Sequence, residues 1–130
     1  WLVRFSRMLG LFDFFYVFMH FLVYAGLEQR FDLVAFFVDI ADRPYFTIGF
    51  TALVLLIPLA VTSTNGMMRR LGARWKKLHR MVYGIAILGV WHFYWQVKLE
   101  TLEAVLYAAM LALLLAYRIW RRYVRTAHTR

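Results

Sequence analysis

The sequence predicts an all-α, polytopic membrane protein, a transmembrane bundle of four helices, and three observations carry that prediction. Of its 130 residues, 63% belong to the hydrophobic set and 19% are aromatic, far above the roughly 45–50% apolar usage of soluble domains. The apolar residues gather into four stretches, residues 9–27, 45–61, 81–97 and 104–120, each within the about 17–25 residues that cross a hydrocarbon core of about 30 Å. None of the four shows the apolar/polar alternation of a membrane β-strand. The charges, finally, are sorted by side, as positive-inside topology requires.

The first stretch is preceded by Arg4 and Arg7. The chain begins at Trp1 without an initiator methionine or a cleavable apolar leader, and it is read as a fragment or trimmed chain. Between the first and second stretches, Leu33, Phe36, Phe37 and Ile40 recur at helical spacing while Asp32 and Asp39 fall elsewhere. That pattern predicts a short amphipathic helix lying on the outer surface. Pro44 suits the first turn of the second span, with Asp42 as its cap. Pro58 predicts a kink near the far end of that span. Residues 62–66, Thr-Ser-Thr-Asn-Gly, read as a turn-rich exit. The loop that follows carries Arg69, Arg70, Arg74, Lys76, Lys77 and Arg80, and the fourth span ends in Arg118, Arg121, Arg122, Arg125 and Arg130.

Thirteen of the sixteen basic residues thus fall on one side, with no acid among them. The other side holds Glu28, Asp32, Asp39 and Asp42 with Arg30 and Arg43, then Lys98 with Glu100 and Glu103. Both termini and the central loop are therefore expected in the cytoplasm. The formal charge of +9 orients the protein and meets the lipid bilayer's anionic headgroups; no nucleic acid is called for. The absence of cysteine excludes disulfides, thiolate metal sites and thioether-attached heme.

Ionisable side chains within a span cost about 2.5–3.5 kcal/mol for Asp, Lys or Arg at its centre, so His20, His92 and Asp13 need a reason. His20 and His92 each lie eleven residues into the first and third stretches, roughly 16 Å deep at 1.5 Å per residue. The two helices run in the same direction, which puts the imidazoles at one depth, toward the outer face. Two neutral imidazoles on facing elements with an apolar slot between them are what bis-histidine ligation of a heme iron needs. Gly89 would let a macrocycle approach the backbone, and Gln96, one turn beyond His92, would orient the ligand from behind. Asp13, Tyr16, His20 and Tyr24 form one polar stripe on the first helix. The competing reading makes both histidines interhelical hydrogen-bonding residues worth about 1 kcal/mol each.

His79 precedes His92 by thirteen residues, roughly 20 Å of helix rise, and belongs at the cytoplasmic surface. On a straight helix the two side chains would diverge by about 140°. Its level on the first helix is held by Ser6 and Arg7, so it is either a third ligand or an interfacial polar residue. Arg7, Arg74 and Arg80 are the candidates for holding the anionic groups of a heme or a flavin phosphate. Trp75, Trp91, Trp95, Tyr83, Phe93, Tyr94 and Tyr107 read as belt and packing residues, and His128 as part of a solvated tail. No phosphate-binding glycine loop or catalytic triad is present.

Several segments are similar to a known family. Arg43-Pro44-Tyr45, residues 59–66 (LAVTSTNG), 69–79 (RRLGARWKKLH), Val82-Tyr83, and His92 followed by residues 94–98 (YWQVK) resemble the MsrQ (YedZ) family. These are the heme-binding membrane subunits of bacterial protein-methionine-sulfoxide reductase systems, within the ferric-reductase-like transmembrane family. The resemblance extends over nearly the whole chain and includes the polar central loop. It implies that residues 1–130 form one heme-binding transmembrane domain of the bacterial inner membrane, without the family's first two helices. It implies heme b, with His20, His79 and His92 as the heme-associated histidines, and possible flavin mononucleotide (FMN), for which no residues are assigned. Electrons would come from the quinone pool or a cytoplasmic flavin reductase and pass to a periplasmic molybdopterin-containing methionine sulfoxide reductase subunit that repairs oxidised proteins. The chain would be an electron-transfer subunit and not the catalytic one. The alternatives are a heme-free scaffold or transporter core with a proton path through the histidines and Asp13, or a ferric-reductase-type transmembrane domain. The last would need flavin and nicotinamide domains, for which these residues leave no room.

Overall fold

The computed structural model describes residues 2–97 and 101–127. Among these, all regular structure is helical, in the order α1 (Leu2–Val23), a π turn (Tyr24–Glu28), α2 (Leu33–Asp42), α3 (Pro44–Val61), α4 (Asn65–Leu71), α5 (Ala73–Leu78), α6 (Met81–Gln96) and α7 (Thr101–Ala127). Lys98, Glu100, His128 and Arg130 lie outside the described residues.

Among the described residues, three segments are long and apolar enough to cross a membrane, Arg4–Glu28, Pro44–Val61 and Leu102–Val124. The third of the four expected spans, α6, has 16 residues, about 24 Å of rise. That is short of a full hydrocarbon core, so length alone does not count it. The first and last helices are longer than the apolar stretches that announce them, because their flanking arginines continue the helix at no cost to its backbone bonding.

Helix α3 is the centre. Phe21 of α1 packs on Phe50 and Tyr24 on Phe46, while Phe14 and Val17 lie against Ala52, Leu56 and Leu59. Residue numbers rise along α1 as they fall along α3, so the two are antiparallel. Helix α6 is antiparallel to α3 as well, since Ile85 joins Leu56 and Leu59 in the core and His92 reaches Tyr45. It follows that α1 and α6 run parallel, both packed on α3. Helix α7 returns along α6, with Tyr107 against Phe93 and the Arg118 guanidinium over the Tyr83 ring at 4.5 Å.

The amphipathic segment is helical as expected, capped by Asp32, which accepts from the Val34 and Ala35 amides. Its packing differs from the expected stripe. Phe36 turns inward onto Phe21, Phe46 and Phe50, but Leu33 and Phe37 are exposed, and Asp39 is buried. The reason is polar: Asp39 accepts hydrogen bonds from the Tyr24 hydroxyl and the Gln29 amide and pairs with Arg43, which rotates the helix. Asp42 does not cap the second span. It ends α2, and Arg43 stands at the α3 cap position with no side-chain bond, followed by Pro44 in the first turn.

At the other end α3 continues through Pro58 to Val61. The turn that follows is shorter than expected, because Thr64 caps α4 by accepting from the Met67 amide and draws Asn65 and Gly66 into that helix. The basic connection is thus two short helices, divided at Gly72, whose φ of 51° favours glycine. Thr62 and Ser63 are buried, with their hydroxyls donating to the Pro58 and Leu59 carbonyls. The Trp75 indole N–H donates to the Thr62 carbonyl at 2.9 Å and ties the basic layer to α3.

Packing at α3 should dominate stability. Leu56, 5% exposed, and Leu113, 72% exposed, offer the contrast. Leu56→Ala is expected to cost about 2 kcal/mol or more through lost packing, and Leu113→Ala less than about 0.5 kcal/mol, measured by unfolding in detergent.

Candidate functional site

Parallel α1 and α6 both pack on α3, and a cleft of about 530 Å³ opens between them, within the roughly 300–1,000 Å³ typical of ligand sites. Its walls are mostly apolar, with Val17, Phe21, Leu53, Leu56, Ile85 and Val90 among them. The polar groups lining it are Asp13, His20, Tyr24, Glu28, Arg43, Tyr45, His92 and Gln96.

His20 and His92 meet in this cleft, with ring centroids 6.4 Å apart and planes crossed at 70°. Two imidazole nitrogens each about 2.0–2.1 Å from one metal stand about 4 Å apart, which puts their ring centres roughly 6.4 Å apart. The spacing therefore suits a metal centre with two opposed nitrogen ligands. No group of three or more His, Cys, Asp or Glu side chains able to hold a bare ion exists among the described residues. A pair of imidazoles without a third protein ligand fits a metal whose other positions come from a macrocycle.

His92 is held by α3. Its Nδ1 lies 2.8 Å from the Tyr45 carbonyl oxygen. A carbonyl only accepts, so Nδ1 carries the proton and Nε2 is left as the ligating nitrogen. The ring lies directly on Gly49: a β-carbon there would come within 2.7 Å of both Cε1 and Nδ1, closer than real contacts. Gly49 and the Tyr45 carbonyl seat His92, a part that the sequence reading assigned to neither. Glycine within a membrane helix is common, and a backbone carbonyl leaves no trace in residue type.

The other expected positions divide. Gly89 lines the cleft, and a β-carbon there would meet nothing within 4 Å, so its backbone borders open space. Gln96 also lines the cleft, but His92 Nδ1–H donates to the Tyr45 carbonyl and not to Gln96. Tyr16 departs from the expected polar stripe and is 69% exposed, whereas Asp13, His20 and Tyr24 face the cleft.

His79 is not brought to the pair. It follows the end of α5 and precedes α6, so the straight-helix angle between it and His92 does not apply. Its ring stacks on Trp75 at 3.9 Å, Nδ1 lies 3.1 Å from the Trp75 carbonyl, and Nε2 lies 3.5 Å from the Ser63 hydroxyl. Arg7, Arg74 and Arg80 do not line the cleft. Arg7 donates to Asn65 Oδ1 at 2.6 Å and tethers α1 to α4, while Arg74 and Arg80 are exposed.

Residues 1–90 match the family model for the ferric reductase like transmembrane component. The chain belongs to this family. Among its relatives, the protein-methionine-sulfoxide reductase heme-binding subunit MsrQ of Xanthomonas campestris is 51% identical over 121 residues, covering 93% of this chain and 56% of that protein. The subunits of the same name from Ralstonia nicotianae and Rhodospirillum rubrum are 49% and 54% identical, over 92% and 90% of this chain and 57% of each relative. The chain spans a little over half the length of these curated relatives. No solved structure matches it. Family and apolar helices together mark a membrane protein of the ferric-reductase-like class.

The seat on α3 can be tested by its two glycines. Gly49→Ala is expected to displace the His92 ring and destabilise the fold by about 1–3 kcal/mol through overpacking. Gly89→Ala should leave stability unchanged or raise it by up to about 1 kcal/mol. Unfolding in detergent and the imidazole nitrogen NMR shifts of His92 read both effects.

Proposed function

We infer that this chain is the membrane core of an electron-transfer subunit that holds b-type heme between His20 and His92. The observation that carries this reading is the histidine pair: two rings 6.4 Å apart in an apolar cleft, one of them fixed by a backbone carbonyl. The name shared by the relatives, heme-binding subunit of a protein-methionine-sulfoxide reductase, supports it independently.

Bound heme supplies a one-electron iron couple whose potential the axial ligands and their surroundings tune. The residues of this chain define what is done with it. His20 and His92 would hold the heme from two sides of the cleft, an arrangement suited to passing electrons on and not to binding a substrate at the iron. The Tyr45 carbonyl keeps His92 in the tautomer that ligates and makes the imidazole more electron-rich. Most of the cleft wall beside the pair is apolar, which suits the face of a macrocycle.

In the membrane, α6 is the remaining span. Its support is its register: it follows α3 from Tyr45 to Leu59, so if α3 crosses, α6 crosses with it. Positive-inside sorting of the arginines and lysines puts both termini and the α4–α5 layer in the cytoplasm of a bacterium with the chain in its inner membrane. Electrons then enter from a quinone or a cytoplasmic flavin and leave from the outer-facing pair toward a periplasmic molybdopterin-containing partner. FMN has no assigned residues. His79, at the cytoplasmic end beside Trp75, is the third heme-associated position, nearer the electron entry.

Purified full-length protein with His20→Ala or His92→Ala is expected to lose the visible absorption spectrum of paired-imidazole heme. His79→Ala should leave that spectrum in place and lower the heme-to-chain ratio. An unchanged spectrum in His92→Ala would remove it as a ligand.

A further inference from the structure

The outer end of the cleft holds a charge arrangement that the histidine pair does not use. Arg43 is the one cation lining the cleft among the described residues; the acids lining it are Asp13, toward the inner end, and Glu28, at the outer end. Behind Arg43 lies Asp39, which is 6% exposed. Its carboxylate accepts from the Tyr24 hydroxyl and the Gln29 amide and takes Arg43 Nε at 3.1 Å. The guanidinium is thus gripped on its Nε side by a buried, fully partnered acid. Its side chain remains 49% exposed, no second carboxylate among the described residues pairs with it, and the Tyr45 side chain takes one further hydrogen bond from the guanidinium.

An arginine presents five donors in a planar fork, and holding one side with an acid leaves others for a second acceptor. Arg43 stands two residues before Tyr45, at most about 7 Å of chain, and the Tyr45 carbonyl is what holds His92. One short piece of backbone therefore sets both the ligand and the distance from it to the cation. An exposed pair that merely fastened α2 to α3 would contribute about 0–1 kcal/mol and would not need to face the cleft.

The geometry points to Arg43 as a carboxylate anchor, binding an acidic substituent of the macrocycle held between His20 and His92, with Asp39 fixing the guanidinium from behind. This rests on the heme reading above. It moves the anion-holding role from Arg7, Arg74 and Arg80, which lie away from the cleft, to the opposite end. Glu28 repels a carboxylate elsewhere at that end, so Arg43 is where it is accepted.

The test uses full-length apoprotein reconstituted with heme b and with its dimethyl ester, which has the same ring and iron but no free carboxylates. Wild-type protein is expected to bind heme b about tenfold or more tightly than the ester, the scale of a charge-assisted hydrogen bond. Arg43→Gln should bind both with the weaker affinity. Arg43→Lys, which keeps the charge but not the fork, should show a reduced preference, and it decides the matter if Arg43→Gln does not fold. Equal affinity of wild type for the two hemes, the same loss on esterification in Arg43→Gln, or a full wild-type preference in Arg43→Lys would each overturn the assignment. If wild type takes up neither heme nor ester, the heme reading itself fails and the anchor falls with it.

Discussion

The contact on which the site depends is the seating of His92 on α3. One hydrogen bond, from His92 Nδ1 to the Tyr45 carbonyl, and one missing side chain, at Gly49, fix three things together. They set the tautomer, leaving the Nε2 lone pair free. They bring α6 onto the N-terminal end of α3, while Ile85 packs near its C-terminal end. They also fix how far His92 stands from His20, which α1 brings into the same cleft. In a medium where lipid is as apolar as the helices, close packing and hydrogen bonds must hold helices together, and here both occur at His92.

From that seat the remaining architecture follows by register. Helix α3 carries two antiparallel neighbours, and the space left between those neighbours is the cleft. At the end of the cleft near the α3 N-terminus, the cluster of Phe21, Phe36, Phe46 and Phe50 and the buried Asp39 lock α2 and the start of α3 in place. At the basic end, Trp75 bonds the Thr62 carbonyl and stacks on His79. The protein is thus most firmly tied where the charges are, at its two ends, and most apolar in between.

Much of this was legible in the sequence, for reasons that are specific. Helix rise is constant, so counting eleven residues into two parallel spans was enough to bring His20 and His92 to one level. Thr and Pro chemistry marked the ends of α3 well. Less legible were features that depend on how one helix is rotated against another. Asp39 looked like a surface acid because two of its donors, Tyr24 and Gln29, come from the π turn and its cap, 15 and 10 residues upstream, and only Arg43 is one helical turn away. Gln96 looked like the partner of His92 because it is one turn away, but a carbonyl 47 residues distant in sequence holds that position. The short helices α4 and α5 were hidden by their polarity, since neither has a clear apolar stripe to reveal it.

The crossed planes of the two imidazoles, 70° apart, give the most direct measurement. Electron paramagnetic resonance of the oxidised, purified full-length protein should show a low-spin iron signal with the strong anisotropy of two imidazoles set at a large angle. A high-spin signal alone, or a low-spin signal unaltered by replacing either His20 or His92, would contradict the account.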